Sequence, residues 1–238
     1  MSELFHFKKF SVSHSRSSMK IGVDAVLLGM WVRCNTTRIL EVGTGCGVIS
    51  LILAQRFKST KILAIDIDES SIEEAKENVF NSPWSDQITV SKLKFPDDLC
   101  NTNKKFGLLV SNPPFFKSGV SIPQTPREIA RHQFSLSVNS LLNRGGDILD
   151  SDGCISVIFS CEFLEEVELS AKQNCWDINR RCFIRDNAER PFKRVMMEFQ
   201  KKGGSEQFEI EESELTLFHK GLPTEQYRQL GKDFYLKF

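Results

Sequence analysis

Short apolar runs alternate along this chain with longer stretches in which apolar positions return every three or four residues. The runs are TRILEV, KILAID, QITVS, FGLLVS and GCISVIFS. Each is short, and all but QITVS are apolar at half or more of their positions, the pattern of a well-covered strand. GVISLILAQRF, SSIEEAKENVFN, SVNSLLNRGGDIL and FLEEVELSAKQN carry helical spacing, and DAVLLGMWV (Asp24–Val32) predicts a helix ahead of the first strand. Strands alternating with helices imply parallel pairing through right-handed crossovers. WDINRRCFIRD and RVMMEFQ read as two more strands with no helix between them, which predicts an antiparallel hairpin at one sheet edge. The expectation is an α/β fold with a seven-stranded, mostly parallel sheet. It forms a single domain over residues 1–238, with 1–36 an N-terminal extension and lid helix and 37–238 the core. KKGGSEQ (Lys201–Gln207) reads as a turn between strands rather than a linker.

Composition adds little to this picture until charge is placed along the chain. The formal net charge of the 238 residues is zero, so whole-molecule charge announces no nucleic-acid partner. The distribution is uneven. Arg180, Arg181, Arg185, Arg190, Lys193, Arg194, Lys201 and Lys202 face only Asp186, Glu189 and Glu198 in the same stretch, while acids gather in CEFLEEVE and EQFEIEESE. The N-terminal arm carries Lys8, Lys9, Arg16 and Lys20. A neutral protein can still present a basic face to phosphates, although a solvated surface is the commoner meaning of one such cluster. The seven cysteines form no CxxC pair, the start MSELFHFKKF lacks the apolar run of a signal peptide, and no run approaches a membrane span. These features predict a cytoplasmic protein with reduced thiols. Scattered histidines argue against a metal site.

Candidate chemistry begins where the first strand ends, in EVGTGCG (Glu41–Gly47). Gly43, Gly45 and Gly47 let the backbone turn tightly and approach a ligand. Asp66, ending the next strand, lies where a ribose-binding carboxylate sits in open α/β folds, beyond the carboxyl ends of the strands. Dinucleotide and S-adenosylmethionine sites share this outline. The spacing here is GxGxG rather than GxGxxG, and an acid, Glu41, stands two residues before the first glycine. A carboxylate there suits a cationic methionine moiety better than a pyrophosphate. The alternative is a purely structural turn.

The fourth strand leaves the sheet through SNPPFFKSG (Ser111–Gly119), at the same edge. Prolines stiffen such a loop and restrict the residues before them. An exocyclic aromatic amine is a poor nucleophile because its lone pair is delocalised. Two acceptors, the Asn112 side-chain oxygen and the Pro113 carbonyl, can hold its hydrogens so that the lone pair points outward. Phe115 can stack on the ring, worth about 1–3 kcal/mol for a base on an aromatic side chain. The competing reading is a structural Asn-Pro turn with a core-filling phenylalanine.

With both motifs in place, the chain resembles the class I S-adenosylmethionine-dependent methyltransferases, a Rossmann-like fold. More narrowly it resembles the bacterial tRNA1(Val) adenine-N(6) methyltransferases. LEVGTGCGVISLILAQR and SNPPFFKSGVSIPQTPREIARH carry the two sites, and FKKFSVSHSRSSMKIGVDAVLLGMW, NSPWSDQITV and YRQLGKDFYLKF carry the more family-specific parts. The resemblance implies S-adenosyl-L-methionine held by Glu41, Gly43, Gly45, Gly47 and Asp66, and a target base held by Asn112, Pro113, Pro114 and Phe115. It implies a monomer without metal, acting on the adenine 3′ of the anticodon in a valine tRNA. It also places basic residues of the N-terminal arm, of Arg127–Arg131 and of the Arg180–Lys202 hairpin on phosphates. Lys94 stands where such enzymes often have an acid for the cofactor adenine, which leaves Lys94, Asp97, Asp98 and backbone atoms as candidates. Lys20 and Asp24 are either lid residues or an ordinary helix start. Guanine-N(2) methylation of ribosomal RNA, glutamine methylation of a protein, and a non-catalytic binding role stay open as alternatives.

Overall fold

The computed structural model describes residues 4–17, 20–99, 105–114, 136–201 and 209–238. Two short strands, β1 (Leu4–His6) and β2 (Ser11–Ser13), precede α1 (Val23–Trp31). The core continues through β3 (Arg38–Val42), α2 (Val48–Arg56), β4 (Lys61–Asp66), α3 (Glu69–Phe80), β5 (Ile88–Lys92) and β6 (Phe106–Ser111). Then come α4 (Val138–Gly145), β7 (Leu149–Ser160), α5 (Leu164–Gln173), β8 (Trp176–Asn187), β9 (Arg194–Lys201), β10 (Glu211–His219), β11 (Leu222–Pro223) and α6 (Glu225–Gly231).

The main sheet runs β11-β10-β8-β9-β7-β6-β3-β4-β5. Strands β3, β4, β5, β6 and β7 pair in parallel, as their helical crossovers require. The predicted hairpin of β8 and β9 forms, but not at an edge. β9 inserts antiparallel between β7 and β8, and β10 pairs in parallel with the outer side of β8. β10 is the acid-rich stretch noted above for its charge. Its period-2 pattern, with Leu215 and Leu217 buried between exposed neighbours, is that of a half-covered strand.

Helices cover both faces and divide the core into two clusters. One gathers α1, α2 and the N-terminal arm, and the other gathers α4, α5 and Trp176. α2 is buried along Val48–Ala54 because α1 forms a layer over it. A Cβ at Gly29 would stand 3.0 Å from Ile52 Cγ2, so the missing side chain sets how closely α1 approaches. Helix starts follow local rules: Asp68 caps α3 by accepting from the Ser71 amide, Ser137 and Ser140 form a capping box on α4, and Thr224 caps α6.

The two ends of the chain meet. Phe7 pairs with Tyr235 across an isolated bridge, and the Lys8 amide donates to the Phe234 carbonyl at 2.8 Å. Phe7 stacks on Phe10 at 4.5 Å, and Tyr235 lies against Tyr227 and Phe238. Phe7→Ala should therefore cost about 3–5 kcal/mol, as for other buried aromatics cut to alanine. Urea unfolding of the purified variant, read as a change in midpoint at constant slope, measures this.

Candidate active site

In the middle of the parallel part of the sheet β3 lies between β4 and β6, and the crevice opens where the winding reverses. Glu41 pairs with Val110, so Val42 and Ser111 end their strands side by side. The buried Ser111 hydroxyl donates to the Val42 carbonyl at 2.8 Å. Gly43 and Asn112 thus leave adjacent strands next to one another, and the two predicted motifs converge. Pro113 is buried, and Asn112 and Pro114 are half-buried. The Asn112 side chain has no hydrogen-bond partner among the described residues. Phe115 and the Arg127–Arg131 segment lie outside the described residues.

The glycine turn has the backbone that its sequence demands. Gly43, Gly45 and Gly47 have φ of 75°, 55° and 83°, a region that side-chain-bearing residues rarely adopt. The Gly43 and Thr44 amides donate to the Ile65 carbonyl, at 2.9 and 3.0 Å. A Cβ placed on Gly45 would meet no described residue within 4 Å, so the loop faces open space among the described residues. Leu136, on the far side of the segment after the Asn112 loop, returns to within 3.3 Å of the corresponding position at Gly43.

Glu41 is fully buried at the end of β3. Its Oε2 accepts from the Ser50 amide at 3.0 Å and from the Ser50 hydroxyl, while Oε1 is buried with no well-aligned donor among the described residues, the Thr44 hydroxyl standing close to the carboxyl. Burial pushes the carboxyl up to about 7, against the pull of the Ser50 and Thr44 donors, and the neighbouring Asp66 adds to the rise. Asp66 ends β4. Its Oδ2 accepts from the Gly45 amide at 2.9 Å and its Oδ1 from the Asp68 amide at 3.0 Å. Burial raises its pKa while these amides hold it down. The Ile67 amide bears on the same carboxylate, and of its four lone pairs at least one stays available to a hydroxyl donor. Ile67, beside it, is 46% exposed and offers an apolar face at the same edge. Sequence reasoning passed over Ile67 as an ordinary residue after a strand.

Asp98 is committed to its own turn, where Oδ2 accepts from the Lys94 amide at 2.8 Å. The Lys94 ammonium pairs with Asp97 at 2.9 Å. Asp24 pairs with Arg194 at 2.9 Å, and Arg194 also reaches Asp186, so the start of α1 is fastened to β9 and β8. Cys46, inside the glycine turn, is buried, and its thiol is pushed up to about 12 by that burial. The described cysteines are free thiols, and no group of three potential metal ligands occurs among the described residues. Among those residues no helix is long and apolar enough to cross a membrane.

Two residues that motif reading missed tie the N-terminal arm to this turn. The carboxylate of Glu74, buried on α3, accepts from the amides of Ser15, Arg16 and Ser17 and from the hydroxyls of Ser13 and Ser15. One turn later, Asn78 donates to the carbonyls of Ser13 and Cys46 and accepts from the Ser13 amide. The signal was present as two polar residues four apart on a helix, flanked by Ile72, Ala75 and Val79.

The chain matches the family model "Methyltransferase small domain" over residues 7–158. It is 37% identical to the tRNA1(Val) (adenine(37)-N6)-methyltransferase of Parabacteroides distasonis, covering 98% of each chain. It is 34% identical to the enzyme of that name from Vibrio campbellii, covering 98% of this chain and 95% of the relative. The chain belongs to this methyltransferase family. A predicted O-methyltransferase from Agrobacterium tumefaciens shares the fold, with a TM-score of 0.67 and 17% identity over 89% of this chain and 96% of that one. The methyltransferase fold thus extends across a pair of chains whose sequences have largely diverged.

Glu41 makes this methyltransferase sensitive to pH in a defined direction. A carboxyl whose folded pKa lies above its ordinary value favours folding while protonated. Its contribution to stability is complete at pH below about 4.5 and is lost as pH rises through about 7. A cation placed at Oε1 favours the ionised form, so at pH 6 cofactor binding should release a proton. Titration calorimetry in two buffers of different ionisation enthalpy reads this release, and Glu41→Gln should abolish it.

Proposed function

We propose that this protein transfers a methyl group from S-adenosylmethionine to the exocyclic N6 amine of adenine 37, just 3′ of the anticodon, in a valine tRNA. The observation that carries the chemistry is the adjacency of Gly43 and Asn112, joined by the bond from Ser111 to Val42. The target is supported by relatives named for this reaction at 34–37% identity along nearly the whole chain. The residues fit such a donor: Glu41 has a buried oxygen with no well-aligned donor among the described residues, the glycine turn faces open space among them, and Asp66 has a lone pair to spare. Glu41 and the turn from Gly43 to Gly47 would hold the methionine end, Asp66 the ribose hydroxyls, and Ile67 one face of the adenine.

When bound, S-adenosylmethionine supplies an electrophilic methyl group on a sulfonium. The chain's own part is alignment. Asn112 Oδ1 and the Pro113 carbonyl would accept the two amine hydrogens and turn the nitrogen lone pair toward the donor, with Pro114 stiffening the loop and Phe115 stacking on the base. Little general-base strength is required before attack, because the proton leaves after the new bond has formed. Most of the acceleration then comes from orientation and from exclusion of water. The adenine must leave its stack, at a cost of a few kcal/mol that is smaller in a single-stranded loop. An in-line displacement of this kind calls for no metal, and the whole chain is read as one domain acting as a cytoplasmic monomer.

Incubation with labelled S-adenosylmethionine and unmodified tRNA, ribosomal RNA and protein extract, followed by nucleoside and amino-acid analysis, tests the reading. N(6)-methyladenosine in valine tRNA is expected; N(2)-methylguanosine or methylglutamine would overturn the substrate. Asn112→Ala should cost about 10²–10³-fold in kcat, as when one preorganised polar group is removed from an active site. Its affinity for the cofactor should stay close to that of the wild type, as equilibrium dialysis would show.

A further inference from the structure

The arginine-rich hairpin that the sequence offers to phosphates is mostly spent inside the protein. Arg180 is buried between Glu198, at 3.0 Å, and the Trp31 ring, at 3.9 Å. Arg181 pairs with Glu168 and Glu212, Arg185 with Glu214, and Arg194 with Asp24 and Asp186. The acids of β10 lie alongside β8 in register, Glu212 opposite Arg181 and Glu214 opposite Phe183, and neutralise its outer stripe. What remains is at the ends of the strands.

The turn from β8 to β9 carries Arg190, exposed and without a side-chain partner among the described residues, and Lys193, 58% exposed and only loosely paired to Asp186 at 3.5 Å. This turn is rigid. The Arg190 amide donates to Asn187 and the Lys193 amide to Ile184, while Phe192 packs on Phe183 with the Arg185 guanidinium 4.7 Å above its ring. β10 runs parallel to β8 with Phe218 opposite Asn187, so the β10–β11 turn emerges beside it. That turn presents Lys220, exposed and without a side-chain partner among the described residues, at a φ of 49°. Both turns stand at the edge from which Asn112 leaves, because β6, β7, β8 and β10 all point the same way. At about 4.8 Å per strand they lie roughly 14–19 Å to the side of Asn112, and β8 runs on to Asn187, six residues past Arg181, the position level with Ser111, so at about 3.3 Å per residue the full separation is roughly 20–30 Å. That is the span of about six to nine stacked nucleotides at about 3.4 Å each.

We infer that Arg190, Lys193 and Lys220 form a two-turn basic rim that docks the RNA backbone several nucleotides away from the methylated base. The inference rests on the proposal that the substrate is RNA. Contacts of this kind set position and affinity without reading sequence. The rim is displaced from the site, so it acts on binding and not on the methyl-transfer step.

The test is binding of an unmodified valine tRNA transcript across a series of salt concentrations. The protein is compared as wild type, as the triple variant Arg190→Ala, Lys193→Ala, Lys220→Asn, and as Lys58→Ala, a control on the opposite edge. Asparagine at 220 tolerates the left-handed backbone that alanine would strain. The triple variant should flatten the plot of log affinity against log salt by roughly two to three units and weaken binding at 0.1 M salt by more than about tenfold. Its kcat at saturating tRNA and its cofactor affinity should match the wild type, and Lys58→Ala should change nothing. A triple variant that keeps the wild-type slope, or loses no more than Lys58→Ala, would overturn the rim while leaving adenine methylation standing. A wild type that binds cofactor yet neither binds nor methylates any RNA would bring down the substrate reading, and the rim with it.

Discussion

The site depends on one constraint of a parallel sheet: neighbouring strands on either side of the point where the winding reverses send their connections to opposite faces. β3 leads into α2 on one face, while the chain beyond β6 returns through α4 on the other. Between them the ends of two strands lie side by side, with their carbonyls and amides held at the spacing of a β-ladder. The Ser111 hydroxyl on the Val42 carbonyl pins that spacing where the ladder ends. A glycine turn on one strand and an Asn-Pro-Pro loop on the next are then neighbours without any long side chain to bring them together.

The second support comes from α3. Its first turn follows Asp66, and its buried face offers Glu74 and Asn78 to the N-terminal arm. The carboxylate of Glu74 is buried, yet the amides and hydroxyls of the arm hold its pKa below the ordinary value. Glu41 is the opposite case, a buried acid with too few donors. Two carboxylates in one domain therefore differ in kind: one has its valences filled by the fold, and the other leaves one oxygen without a well-aligned donor. Asn78 joins the arm to the Cys46 carbonyl, so the geometry of the glycine turn depends on a segment far from it in sequence.

Much of this was legible in the residues. The buried strands announced themselves through consecutive apolar positions, and the glycine and Asn-Pro motifs placed themselves by following predicted strands. What local pattern could not supply was pairing across distance. Nothing in RVMMEFQ says that β9 inserts between β7 and β8, because strand order is decided by which faces remain to be covered. The charge of β8 misled for the same reason: Arg181 and Arg185 read as free until Glu212 and Glu214, thirty residues later, are laid beside them. β10 itself was hidden by its glutamates, which mask the alternation of Leu215 and Leu217. Glu74 and Asn78 showed the right spacing but no motif, and only the arm lying across them gives that spacing a meaning.

Cys46 sits in the middle of the turn proposed to hold a sulfonium, with its carbonyl tied to Asn78 and its thiol buried. A thiolate is a far stronger nucleophile than the exocyclic amine of an aromatic ring, and the thiol is far weaker than the thiolate. Burial in an apolar environment beside the acids Glu41 and Glu74 keeps the proton on the sulfur. The packing that fixes the loop therefore also keeps its one sulfur a neutral thiol, folded into the apolar cluster shared by α1 and α2.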